Sequence, residues 1–357
     1  MKINYIFLII GIAILTFTCS EDRVNPEFDP SPYLLELNGD LPEPAIPPDN
    51  LLTNAKVKLG RMLFYEKKLS KDLTQACADC HLQKDAFTDI RPFSIGVEKL
   101  EGKRNAMPIF NLVYHINGFF WDGRATLLRD QALKPIQDPL EMNETLSNAV
   151  AKIQNEKIYQ DQFIRAFGSD SVSALKISLA IEQFMISIVS HDSKYDRYLK
   201  GAATLTLEEE RGKDLFFKEY DPLNNIKGAE CFHCHSGFNF TNNEFMNNGL
   251  DTDSNFKDLG RFNVTKNASD KASFKVPSLR NIEFTAPYMH DSRFNSIDEV
   301  IDHYNSHVKQ SSTTNILLQN NIKGLNLTTQ EKSDLKAFLK TLSDNTYLNN
   351  PEYKSPF

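Results

Sequence analysis

Four of the five cysteines fall into two copies of one short pattern, Cys77-Ala78-Asp79-Cys80-His81 and Cys231-Phe232-His233-Cys234-His235. Two thiols at this spacing can form thioethers to the vinyl groups of a haem, and the adjacent histidine then presents its imidazole to the iron. A single copy also reads as a zinc half-site or a redox dithiol. Two copies favour two covalently bound haem c groups, with Cys77, Cys80, Cys231 and Cys234 as the attachment points and His81 and His235 as proximal ligands. The sixth position on each iron then decides function. A haem with two protein ligands transfers electrons, whereas one with an open face can bind peroxide.

The elements that position these motifs are themselves duplicated. Leu59-Gly60-Arg61-Met62-Leu63-Phe64 precedes the first motif and Arg211-Gly212-Lys213-Asp214-Leu215-Phe216 the second, sharing Gly-x-x-Leu-Phe. A second echo pairs Phe120-Trp121-Asp122-Gly123-Arg124 with Met289-His290-Asp291-Ser292-Arg293. Repetition at about half the chain length predicts two homologous domains rather than a solenoid. The secondary structure reads as mainly α. Capping boxes at Thr206–Glu209 and Thr328–Glu331 open helices, and Leu335, Phe338, Leu339 and Leu342 share one face. Val172–Ser190 reads as a core helix interrupted by Lys176, Glu182 and Gln183. No period-two strand run is present, and Asn239–Asn267, rich in Asn, Asp and Gly, reads as a long loop inserted in the second unit.

Residues 1–19 carry Lys2, an apolar run and Thr18-Cys19, which together read as a signal peptide. Its cysteine resembles a bacterial lipoprotein cleavage site with Cys19 as the lipid attachment point; a plain secretory signal is the alternative. Seven of the 16 prolines lie within residues 20–50, predicting either a semi-rigid tether or an arm along the protein surface. The body then divides into 51–200, 201–345 and a tail at 346–357. With 40 Lys plus Arg against 47 Asp plus Glu and a net charge of −7, no basic surface is available for nucleic acid. An odd number of cysteines, four already committed, excludes a disulfide scaffold.

From about Leu51 to Leu342 the sequence resembles the bacterial di-haem cytochrome c peroxidases, including the MauG-type enzymes. The resemblance rests on the two haem motifs together with Gly102-Lys103-Arg104-Asn105, Phe120–Arg124, Asp138-Pro139-Leu140-Glu141-Met142, Val276-Pro277-Ser278-Leu279-Arg280-Asn281 and Ala286-Pro287-Tyr288-Met289-His290-Asp291. It implies two class I cytochrome c-like domains, haems facing their interface, with a peroxidatic N-terminal haem and an electron-relaying C-terminal one. It places the family's distal glutamate on Glu141 and its distal glutamine on Gln131. Glu141 would act as acid and base in peroxide cleavage, although a bare helix-start carboxylate is the bland reading. Trp121, the single tryptophan, matches the aromatic stepping stone between the haems; lone tryptophans otherwise belong to cores. Asn105, Thr285 and Pro287 match ligands of an inter-haem calcium ion, the last two through carbonyls. His290 and Arg124 match haem-contact or structural positions. The implied partners are hydrogen peroxide, a small c-type cytochrome or blue-copper donor, a membrane reached through the lipid, and a second copy of the chain as a homodimer. The implied location is the periplasm, anchored at a membrane, the outer one included.

Two departures bear on mechanism. Many members carry a histidine after the first haem motif that blocks the resting iron; residues 82–114 contain none, the expected position falling near Val97 or Glu98. The first haem is therefore expected to be open without reductive activation, with Met107 the one thioether nearby. For the second haem, Tyr304 occupies the place where peroxidases have methionine and MauG-type enzymes tyrosine, making it the favoured sixth ligand and Met289 the runner-up. The remaining histidines, His115, His191, His233, His303 and His307, read as surface groups or groups one step removed from the irons. Three functions follow as expectations: peroxide reduction, oxidation of side chains on a protein substrate, or electron carriage by two six-coordinate haems.

Overall fold

The computed structural model describes residues 25–37 and 41–357; Cys19 and the signal segment lie outside them. The chain is mainly helical. Its first part carries α1 (Asn54–Phe64), α2 (Leu128–Gln137), α3 (Leu146–Gln154), α4 (Lys157–Phe167), α5 (Ala174–Ser187) and α6 (Lys194–Leu199). The second carries α7 (Leu207–Phe216), α8 (Phe262–Thr265), α9 (Ile297–Asp302), α10 (Gln319–Lys323), α11 (Thr329–Lys340) and α12 (Thr346–Asn349). Both capping boxes read from the sequence form, Thr206 with Glu209 and Thr328 with Glu331. The 239–267 stretch is irregular for most of its length. It also holds β1 (Phe245–Met246), which pairs antiparallel with β2 (Phe274–Lys275), a ribbon too short to register as alternation.

The repeated glycines explain how the two halves are built. On α1, a Cβ on Gly60 would stand 1.9 Å from the Ala180 carbonyl oxygen and 2.9 Å from the Phe184 Cβ of α5. On α7, a Cβ on Gly212 would stand 1.9 Å from the Asp334 oxygen and 2.9 Å from the Phe338 Cβ of α11. Both crossings thus bring backbones together at a distance only glycine permits. Leu63, Phe64 and Phe184 fill one apolar core with Phe87 and Phe163, while Leu215, Phe216, Phe338 and Leu342 fill another with Phe240.

The halves meet at a polar junction. Asn111 Nδ2 donates to the Ser190 carbonyl at 3.0 Å and Asn281 Nδ2 to the Ser190 hydroxyl at 2.9 Å, all buried. Asn111 and Asn281 occupy matching places in the repeat, each with positive φ, 54° and 59°, opening a short 3-10 turn. Asparagine tolerates that region better than most residues.

Both ends of the described chain pack down. Asp29 N–H donates to the Arg165 carbonyl at 2.8 Å, and the Tyr114 hydroxyl to the Pro42 carbonyl at 2.9 Å, so the described parts of the proline-rich stretch are held against the first half of the chain. Beyond α11, Tyr347 and Tyr353 enter the first core, and Gln83 Nε2 donates to the Tyr347 carbonyl at 2.9 Å.

Candidate haem sites and the wall between them

Each haem motif sits on a 3-10 turn, Cys77–Asp79 and Cys231–His233. The histidine after each turn is oriented the same way. His81 Nδ1 lies 3.0 Å from the Phe87 carbonyl and His235 Nδ1 3.1 Å from the Phe240 carbonyl. Both carbonyls belong to buried phenylalanines held at positive φ, 56° and 50°, a backbone turn that aims the oxygen at the ring. With Nδ1–H donating, Nε2 keeps its lone pair for a metal. Burial lowers both imidazoles, His235 to about 4, so they stand neutral and ready to ligate. Arg280 secures the second loop: its Nε donates to the Phe238 carbonyl at 2.9 Å, while its guanidinium pairs with buried Asp196 at 2.8 Å.

None of the four motif cysteines is in a disulfide. Burial pushes Cys77 and Cys231 up to about 12 and Cys80 and Cys234 up to about 11. A redox dithiol requires the opposite shift, whereas neutral thiols beside an anchored imidazole and a cavity fit covalent haem attachment.

Two cavities adjoin the motifs. One of about 1010 Å³ is lined by Cys80, His81, Gln131, Glu141, Arg124 and Met107, among others. A smaller one of about 190 Å³ is lined by Cys231, Cys234, His235, Tyr304, Met289, Thr285 and Pro287. Asn105, Trp121, Asn248, Phe274, Lys275 and His290 line both, forming a shared wall. In that wall Trp121 is 9% exposed and its Nε1 donates to the Asn105 carbonyl at 2.9 Å. Asn105 N–H in turn donates to the His290 carbonyl at 2.8 Å, and the His290 ring stacks on Phe274 at 3.6 Å.

Glu141 reaches the large cavity from the turn after α2, the helix that also supplies Gln131 and Pro135 to its lining. Its N–H donates to the Asp138 carbonyl at 2.9 Å and its carbonyl accepts from Val97 N–H at 2.8 Å. Gly96 lets the neighbouring loop come that close: a Cβ there would stand 2.2 Å from the Leu140 oxygen. Burial pushes the Glu141 carboxyl up to about 7; the Asp138 charge adds to this and the Arg124 cation opposes it. Arg124 stacks on the Phe120 ring at 3.6 Å and bonds Asp122 at 3.0 Å.

All the site residues named from the sequence line these cavities except Cys77, packed at the edge of the first core, and Cys19, outside the described residues. At the expected blocking position Val97 is buried and donates its N–H to the Glu141 carbonyl, while Glu98 is bonded to Lys71 at 2.6 Å and to Asn143 at 2.7 Å on the surface. His115, read as peripheral, lines the large cavity and is lowered to about 3 by burial and then by the Lys275 charge. Asn248 and Lys275 gave no chemical signal in the sequence. One lies in the long inserted loop; the other is a lysine 1% exposed, whose burial only the fold reveals.

Such a pair of haem-motif cavities joined by one aromatic wall defines a di-haem redox protein of the peroxidase fold. A family model described as "Di-haem cytochrome c peroxidase" matches residues 54–204. The methylamine utilization protein MauG of Methylophilus methylotrophus is 33% identical over 298 residues, 83% of this chain and 84% of that one. Cytochrome c551 peroxidase of Nitrosomonas europaea is 33% identical over 318 residues, 88% of this chain and 86% of its own. A crystal structure of a MauG-like protein associated with microbial copper homeostasis superposes with a TM-score of 0.82 at 36% identity, covering 91% of this chain and 99% of that one. The chain therefore belongs to the di-haem cytochrome c peroxidase family, whose enzymes are oxidoreductases with peroxide as acceptor. No helix among the described residues is long and apolar enough to cross a membrane.

Proposed function

We propose that this protein is an exported di-haem peroxidase that reduces hydrogen peroxide to water at the larger cavity. Electrons would come from a small c-type cytochrome or blue-copper protein through the smaller one. The observation that carries this reading is Glu141, a carboxyl near 7 in the wall of the cavity that holds His81. Haem c, held through Cys77, Cys80 and His81 and through Cys231, Cys234 and His235, supplies the redox centre at each site.

Around it the chain's own groups divide the work. Ionised Glu141 would take a proton from a peroxide held in this cavity and deliver it to the oxygen that leaves as water. Gln131 and Arg124 bound the same space, and the arginine charge favours the ionised form at the moment it is needed. Trp121 spans the wall between the two sites as the electron relay, its ring fixed by the Asn105 hydrogen bond. Asn105, Thr285 and Pro287 line one cavity together. Their oxygens suit a calcium ion. The reading includes two cytochrome c-like haem domains, 51–200 and 201–345, with haems at their interface, and a periplasmic lipoprotein anchored at Cys19.

A second reading is MauG-type oxidation of a protein side chain, favoured by Tyr304 in the smaller cavity and by the absence of histidine from 82–114. Steady-state turnover of peroxide with a reduced c-type cytochrome supports the first reading; no turnover above free-haem background overturns it. A long-lived oxidised state after peroxide without donor supports the second.

A further inference from the structure

Two candidate ligands, the Tyr304 hydroxyl and the Met289 sulfur, line the smaller cavity, and one amide touches both. Asn248 Nδ2 donates to the Tyr304 hydroxyl oxygen at 3.3 Å and to the Met289 sulfur at 3.4 Å. Its two amide hydrogens thus serve the two candidate ligands. The Asn248 carbonyl is also engaged, standing 3.0 Å from His303 Nε2, the neighbour of Tyr304.

Asn248 is itself firmly held. On one side, Asn247 Nδ2 donates to Ser311 Oγ at 3.1 Å and Thr313 Oγ1 at 2.9 Å. On the other, Gly249 sits at φ 69°, where a Cβ would stand 2.5 Å from the Val308 side chain, and its carbonyl accepts from Lys309 N–H at 2.8 Å. The two ligand candidates lie on unusual backbone: Tyr304 within the π-helical turn His303–His307, Met289 at φ 74°. Such departures gather at functional sites. Tyr304 is anchored from behind as well, its carbonyl accepting from Asn321 Nδ2 at 2.9 Å.

We propose that Asn248 is the positioning residue of the second haem site: its amide donates to the Tyr304 oxygen and weakens the ligand's electron donation, while the Met289 sulfur stands beside it as the alternative ligand. This rests on the reading of Tyr304 as sixth ligand. A phenolate stabilises the oxidised metal, and a hydrogen bond to its oxygen draws back part of that electron density. The contact to the Tyr304 oxygen is long for neutral partners, and an anionic oxygen brings its donor closer. With the donor removed, the oxygen donates more strongly and the oxidised state is favoured. With the donor replaced by an acceptor, the phenolate is disfavoured and the thioether can take its place.

The test uses the haem-loaded full protein, its haem content counted first. Resonance Raman spectroscopy of the wild type should show tyrosinate modes that shift in deuterium oxide. In Asn248→Leu, which keeps shape but removes the donor, the tyrosinate should persist without that shift. The reduced-to-oxidised ratio of the second haem at fixed potential should fall about tenfold, about 59 mV for one electron. In Asn248→Asp the tyrosinate should give way to the near-infrared sulfur-to-iron band of methionine ligation. Wild-type tyrosinate without a deuterium shift, or a ratio unmoved in Asn248→Leu, overturns the role of Asn248 alone. No tyrosinate in the wild type overturns the Tyr304 reading and this inference with it. If neither variant loads two haems, the wild-type deuterium shift decides.

Discussion

Replacing Glu141 with glutamine should make the protein more stable and less active, and the pH dependence of both effects follows from one shift. The carboxyl moves from 4.5 to about 7 on folding, which at 1.36 kcal/mol per unit amounts to about 3 kcal/mol. The folded-state value is the higher one, so the native protein binds this proton more tightly than the unfolded chain. Stability at this position is therefore fully present below 4.5 and declines as pH rises, until above 7 the whole cost of a buried carboxylate is carried. Glutamine keeps the shape and removes the charge. Its advantage over wild type should be near zero at pH 4 and about 3 kcal/mol at pH 8. Activity runs the other way. The ionised fraction of the wild-type base grows about tenfold between one pH unit below its midpoint and one above, and peroxide turnover should follow; the variant should lose about 10²–10⁴-fold and show no such rise. Denaturant unfolding of both haem-loaded proteins at several pH values, beside turnover profiles, measures each part. A variant that gains no stability between pH 5 and pH 8, and keeps the wild-type profile, would refute the placement of Glu141 in a desolvated, working position.

Four further outcomes are expected. Gly60→Ala and Gly212→Ala should each destabilise by about 1–3 kcal/mol or more, because the new methyl meets a backbone oxygen of the facing helix; unchanged melting temperatures would contradict both crossings. Cys231→Ser should leave the first site loaded and weaken attachment at the second, seen as one haem lost from the intact mass or, where the haem is retained, as the red-shifted pyridine haemochrome of a haem that keeps one vinyl group, with no change at the first site. Lys275→Met should raise stability near neutral pH. Burial lowers this ammonium from 10.5 to about 8, so the wild type regains stability as pH climbs through that window, and a variant gain that persists unchanged above pH 10 would count against the buried charge. Asn105→Ala should remove the calcium dependence of activity expected of wild type after chelation; equal sensitivity of the two proteins to chelator would remove Asn105 from the ion site.

Much of the architecture was legible in the residues because the repeat writes its constraints twice. Gly60 and Gly212 marked the same place in each unit, and the two motifs announced two matching sites, since a histidine next to paired thiols leaves little chemical choice; that each glycine sits at a helix crossing came from the structure. The helices at 174–187 and 329–340 followed from periodicity and caps. Less was visible where an element is short or the contact is distant. The two-residue ribbon Phe245–Met246 with Phe274–Lys275 is below the length at which alternation means anything, yet it places Lys275 behind Trp121, whose carbonyl accepts its N–H at 2.8 Å. The terminal segment 346–357 carried no strong pattern, and its tyrosines still enter the first core, because burial there depends on a cavity that only the assembled helices enclose.

The sequence alone determined the chemistry each half could perform: two thioether-forming pairs and two proximal imidazoles, local in their spacing, with a carboxylate and a single tryptophan added by the resemblance to the family. The tertiary structure decided how those groups address one another. Trp121 and His290 became a wall common to two cavities, and Glu141 acquired a carboxyl near 7 from a loop that Gly96 allows to close over it. Asn248 met Tyr304 and Met289 across 56 and 41 positions of chain. Desolvation and hydrogen-bond geometry are properties of surroundings, and surroundings drawn from both halves of the chain exist only once it has folded.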